Sequence, residues 1–131
     1  MRKEDLQQYT SIKKELKQLQ FKLKELEERK TSIKSMIISD MNVQTSNEHS
    51  SIDDLLVKIE ECIEEYRTKE IELYSKQLEI EKCINNLEAN ERIIMRLRYL
   101  EGYKWEKVCV ETNYSWEGIH KIHRKILNKI V

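Results

Sequence analysis

Apolar residues recur every seven positions over the first four heptads of this chain, and no proline interrupts them. Tyr9, Leu16, Leu23 and Ile37 fall on one seam position, and Ile12, Leu19, Leu26 and Ile33 on the other, with Lys30 the single interruption. A period of seven held this long keeps one stripe turned toward a partner helix, which distinguishes a coiled coil from an ordinary amphipathic helix. Lys13, Lys14, Glu15, Lys22, Lys24, Glu25, Glu27 and Glu28 are its solvated flanks.

The period stops in a polar stretch from Ser39 to Ser50 that is dominated by cap and turn formers, which predicts a loop at about 39–50. Ser50 or Ser51, followed by Asp53 and Asp54, makes a good helix start, because side-chain oxygens and carboxylates satisfy the free amides of a first turn. A second helix follows, with Ile52, Leu55, Ile59, Cys62, Tyr66, Leu73, Ile80, Cys83 and Leu87 at spacings of mainly three and four. Each helix would be roughly 50–55 Å long, and two equal helices joined by a short loop pack most simply as an antiparallel hairpin. Leu56, Ile63, Ile71, Leu78 and Ile84 widen the apolar face beyond one partner, which points to a homodimer closing a four-helix bundle. The competing expectation is a monomeric hairpin with a few exposed leucines.

With 131 residues, only two glycines and 37% charged residues, the chain has the composition of long helices and leaves no room for a large enzyme. No apolar run approaches the roughly 20 residues that cross a bilayer, and Met1 to Gln8 has no signal-like core. Cys62, Cys83 and Cys109 are odd in number and lack paired spacing, so free thiols are expected in a reducing, cytoplasmic setting. The zero net charge divides by position. Residues 1–49 carry ten Lys/Arg and eight Asp/Glu, residues 50–90 five and eleven, and residues 91–131 nine and five. The basic end is therefore the C-terminal one, as a nucleic-acid-binding segment behind an acidic spacer would have it.

Within that end, Ile93, Ile94, Leu97 and Leu100 line one face of a helix that Gly102 can terminate in a left-handed conformation. A short helix from about Lys104 to Thr112 presents Trp105, Val108, Cys109 and Thr112 inward. Asn113 tolerates the positive φ of a tight turn, and Ser115 caps a third helix carrying Ile119, Ile122, Ile126, Leu127 and Ile130 inward. Tyr114 joins the same buried set. Two helices crossed by so short a turn, with the small Cys109 permitting close approach, describe a helix-turn-helix. The expected fold is all-α: a long antiparallel coiled-coil hairpin over residues 1–89, followed by a small three-helix helix-turn-helix domain over residues 90–131.

The run from Glu91 to Val108, then Asn113-Tyr114-Ser115 and Ile119 to Leu127, resembles region four of bacterial sigma factors. In particular it is similar to the small phage and prophage proteins, related to late transcription regulators of the RinA and ArpU kind, that carry this domain behind a coiled coil. The opening Met1 to Tyr9 resembles their start, although only the C-terminal third is specific. The resemblance implies a transcription regulator whose third helix enters the major groove of double-stranded DNA beside bacterial RNA polymerase. By position, Trp116, Glu117, His120 and Lys121 would lie toward the bases and Arg124 and Lys125 toward the backbone, with the cap Ser115 counted among the DNA-binding residues. The chain departs from its relatives in Trp116-Glu117-Gly118, where basic or amide residues are common, in Lys104 for a capping serine, and in Asn113 for glycine. Glutamate can accept from a cytosine amino group and an aromatic ring can cover a thymine methyl.

Catalysis and cofactors are not expected. His120 and His123 make an incomplete metal site, and the paired carboxylates Asp53-Asp54, Glu60-Glu61 and Glu64-Glu65 lie along a solvated helix with no cleft to perturb them. There is no glycine-rich phosphate loop. Two further readings compete. One is a DNA-recognition protein of phage packaging resembling a small terminase subunit, where the DNA domain usually comes first. The other is a coiled-coil adaptor whose helix-turn-helix binds protein.

Overall fold

The computed structural model describes residues 1–39 and 46–130, and for residues 37, 39 and 46–50 the backbone alone. Among the described residues the regular structure is all helical, with no strand. Helix α1 spans Lys3–Ser39 and α2 spans Ser46–Ile84; α3 (Ala89–Met95) runs on into a π-helical turn (Arg96–Leu100), and α4 (Trp105–Thr112) and α5 (Trp116–Ile130) complete the order. No helix among them is long and apolar enough to cross a membrane. Helix α2 starts at Ser46 rather than at Ser50 or Ser51. The remainder of the expected loop, residues 40–45, lies outside the described residues, as does the side chain of Ile37.

The helices fall into two compact units. One comprises Lys14–Ile71, where α1 and α2 run antiparallel over a seam of Leu26, Leu55, Ile59 and Cys62, flanked by half-buried Leu19, Leu23, Ile33 and Ile63. Cys62 donates its thiol to the Leu19 carbonyl at 3.7 Å, and Lys69 pairs with Glu15 at 2.8 Å. Cys62 is thus a small seam residue with a weak donor, the ordinary behaviour of a buried free thiol. Lys30, which interrupts the heptads, turns its ammonium to Glu27 at 3.4 Å.

The other unit joins Met1–Lys13 with Glu72–Val131. Its core contains Leu6, Tyr9, Ile80, Ile84 and Leu87 from the hairpin helices and their exit, together with Ile94, Met95, Tyr99, Leu100, Val108, Ile119 and Ile126 from the three following helices. Leu6, Ile80, Ile84, Ile94, Met95, Val108, Ile119 and Ile126 are wholly buried. A domain of about forty residues lies near the lower limit at which one core sustains itself. Here the missing apolar surface comes from the first turns of α1 and the last turns of α2. Lys13 adds a polar tie, donating from Nζ to the Leu100 carbonyl at 3.0 Å, where the end of a helix leaves carbonyls to satisfy.

Of the expected face, Ile94, Leu97 and Leu100 meet the core and Ile93 does not. Ile93 is 48% exposed, whereas Glu91, Ile94 and Met95 point inward. The cause is electrostatic as well as apolar. Glu91 accepts both from the Glu88 backbone N–H at 3.2 Å and from Lys129 Nζ, 2.9 Å from each carboxylate oxygen, so it is drawn against the end of α5. With positions 91, 94 and 95 inward, position 93 must face out. The π-turn then widens the helix, so that Tyr99 joins Leu100 in the core and Glu101 N–H closes on the Arg96 carbonyl at 2.8 Å. Ile84→Ala, which empties a wholly buried site in this shared core, should cost about 2–5 kcal/mol in urea unfolding followed by tryptophan fluorescence.

Candidate nucleic-acid interface

The turn between α4 and α5 is built by Asn113, whose φ of 60° and ψ of 22° place it in the left-handed region. Gly102 does the same after the π-turn, with φ at 75°. Both positions were legible as turn formers. Ser115 caps α5, accepting from the Gly118 N–H at 3.0 Å. A Cβ on Gly118 would stand 2.9 Å from that same Ser115 oxygen. Glycine in this first turn therefore leaves room for the cap, which offsets its poor helix propensity. Lys104 begins α4 without a side-chain cap.

Helix α5 has a buried face of Ile119, His123 and Ile126. Glu117, Lys121 and Arg124 are exposed at spacings of four and three, so they share the opposite face, and the exposed Asn128 continues their line. Lys125 is exposed beside them. Trp116 is 52% exposed in the first turn. His120, one turn on, is half-buried and leans toward α4: its ring centroid lies 4.4 Å from Trp116 and 5.2 Å from Trp105, edge-on to both. Its Nε2 is buried without a hydrogen-bond partner. The seven candidate residues thus divide. Ser115 shapes the start of the helix, Glu117, Lys121, Arg124 and Lys125 face solvent, and Trp116 and His120 form an aromatic pair at the border of the exposed face.

Behind that pair lies a buried polar contact. The Tyr99 hydroxyl and His123 Nε2 are 2.6 Å apart, and the rings stack with centroids 5.8 Å apart. Burial pushes the Tyr99 phenol up to about 12, and burial, with the nearby Lys3, Arg98 and His120, pulls the His123 imidazole down to about 4. Both side chains are accordingly neutral near pH 7 and share one proton along their hydrogen bond. Trp105 closes the cluster, 4.6 Å from the His123 ring, with the Arg98 guanidinium 4.9 Å from its own ring centroid. His123 is therefore a core residue. Among the described residues, no group of three or more His, Cys, Asp or Glu side chains could hold a metal ion.

Ion pairing sorts the basic residues of this end. Lys129 is engaged by Glu91, and Arg96 meets Glu81 through two contacts of 3.3 and 2.9 Å. Arg98 donates to the Tyr103 carbonyl at 2.9 Å while covering Trp105. Lys121, Arg124 and Lys125 on α5, and Lys104 at the start of α4, are exposed and make no ion pair within 4.0 Å among the described residues. Lys107 is also exposed, with its ammonium over the Tyr103 ring at 3.8 Å.

One family model matches residues 32–130, three quarters of the chain. The chain belongs to the family described as "Protein of unknown function (DUF1492)". The match takes in the end of α1, the whole of α2 and all three C-terminal helices. No curated protein and no solved structure matches the chain.

Lys104, Lys107 and Asn128 were not among the sequence-based candidates. Lys104 stood out only as a poor cap, and the four-residue spacing from Arg124 to Asn128 was the available signal for the last.

Two measurements test this geometry. An imidazole whose folded pKa lies near 4 and whose unfolded value is near 6.5 binds its proton more readily in the unfolded chain, so stability falls as pH drops below about 6.5. Between pH 7 and pH 5 the loss should be about 2 kcal/mol, and His123→Gln should abolish most of that slope. Ser115→Ala should cost about 1 kcal/mol. Gly118→Ala should fall within about 0.5 kcal/mol of the parent, because its gain in helix propensity is set against displacement of the cap; thermal unfolding reads both.

Proposed function

We propose that this chain is a phage-type transcription regulator that binds double-stranded promoter DNA through α5, acting beside bacterial RNA polymerase in the host cytoplasm. The observation that carries the reading is the α4–α5 corner. A left-handed Asn113 turn and a Ser115 cap present one end of α5, and the face that follows holds Lys121, Arg124 and Lys125 free of ion pairs. The resemblance to sigma region four and to regulators of the RinA and ArpU kind supports the same assignment of α5 as the helix that enters the major groove. Arg124 and Lys125 then meet phosphates, and Trp116 and Glu117 lie toward base edges.

Few free cations face outward, so the counterion-release contribution is small and the isolated domain binds weakly. Weak binding suits a protein that works with polymerase or as a homodimer. Exposed Leu56, Val57, Ile71, Tyr74 and Leu78 along α2 supply apolar surface for dimerisation. The packaging reading, with a small-terminase-like role, has no separate observation in its favour.

A second reading has one: Trp116 exposes half its surface next to an acidic residue at the helix start, a composition that suits a protein partner as well as DNA. Anisotropy titrations with labelled duplexes at several salt concentrations separate the two. Salt-sensitive binding is expected; its absence, alone and with polymerase, rejects the DNA reading. Arg124→Ala should weaken binding to all sequences alike and lower the salt slope by about 1. Trp116→Ala should instead change the sequence preference.

A further inference from the structure

We propose that His120 is a positioning residue for Trp116, holding the indole in place at the start of α5 rather than reaching a base edge itself. The inference rests on the DNA reading only for what the indole then does; the positioning stands on geometry alone.

Residues 116 and 120 are one turn apart on α5. Side chains on a helix lean toward its N-terminus, so the imidazole of the later residue lies over the turn occupied by the earlier one. Here the two rings meet edge to face at 4.4 Å with an interplanar angle of 72°. The imidazole also meets Trp105 at 5.2 Å and 62°. Trp105 is itself fixed by His123 at 4.6 Å and by the Arg98 guanidinium at 4.9 Å. An unbroken series of ring contacts therefore runs from the π-turn through α4 to the first turn of α5, and His120 is its last member before the exposed indole.

Burial makes the same division. Trp116 is 52% exposed, whereas the Nε2 of His120 is covered and has no partner. That nitrogen could contact a base only if the aromatic stack opened. A tryptophan so exposed has little of its own to hold it. Ile119, its neighbour three residues on, is wholly buried and turned to the core. The imidazole edge is the ring contact that Trp116 makes among the described residues.

The test uses the full chain labelled with 15N, in which the two tryptophans give two indole N–H signals, assigned by loss of one in Trp116→Phe. Relaxation should give both indoles order parameters near ~0.85 in the parent. In His120→Ala the Trp116 value should fall below ~0.6 while the Trp105 value stays high, the latter showing that the domain remains folded. His120→Phe, which keeps a ring at the contact, should restore the Trp116 value. An unchanged Trp116 value in His120→Ala overturns the proposal whatever the protein binds.

With duplex DNA, His120→Ala should lose sequence preference to the level of Trp116→Ala and keep the parental salt slope. Loss of preference with a rigid Trp116 would mean that His120 contacts the base directly, which also overturns the proposal. If the parent shows no salt-sensitive binding, the DNA reading fails, and the indole order parameters still decide the positioning.

Discussion

The shared core around Ile84 is the constraint on which the basic end of the protein depends. The three short helices bury Ile94, Met95, Val108, Ile119 and Ile126 together with Leu6, Ile80 and Ile84, which belong to the long helices. So few residues cannot by themselves remove enough apolar surface from water to offset the entropy of ordering three helices. In the first unit Leu26, Leu55, Ile59 and Cys62 hold two helices together; in the second, Ile80 and Ile84 belong to the core that the short helices cover.

Charge follows a similar logic. The excess of basic residues after position 90 reads as a surface property, yet much of it is spent internally. Glu91 takes Lys129, Glu81 takes Arg96, and Arg98 lies over Trp105. These contacts orient α3 against α5 and fasten the π-turn to the end of α2. Exposed and without an ion pair within 4.0 Å among the described residues are Lys121, Arg124 and Lys125 on α5 and Lys104 at the start of α4. A net charge over a segment measures composition, whereas a ligand meets only the charges left unneutralised at one face.

Histidine illustrates how position decides role. His120 and His123 lie three residues apart on one helix and belong to one aromatic cluster, yet they differ in what they can do. His123 is buried, hydrogen-bonded to Tyr99 and held neutral by its surroundings. His120 stands at the boundary, in contact with both an exposed indole and a half-buried one. The environment that keeps the first out of contact with solvent gives the second a fixed platform.

Periodicity alone determined the all-helical class, the two long helices and the three short ones, because a repeat of seven or of three and four is a local signal that a chain writes along itself. The turn residues Gly102 and Asn113 and the cap Ser115 were equally legible, since each answers a backbone requirement within a few residues. The outward turn of Ile93 was not. Ile93 is the more apolar neighbour of Glu91, but Lys129, far along the chain, draws the carboxylate inward and turns Ile93 to solvent. Nor could the sequence say that His123 is a core residue, or that the first turns of α1 complete the C-terminal core. Those facts depend on which residues meet across long separations. Only tertiary packing decides such pairings, because the free energy of burying or pairing a side chain belongs to the contact and not to the residue.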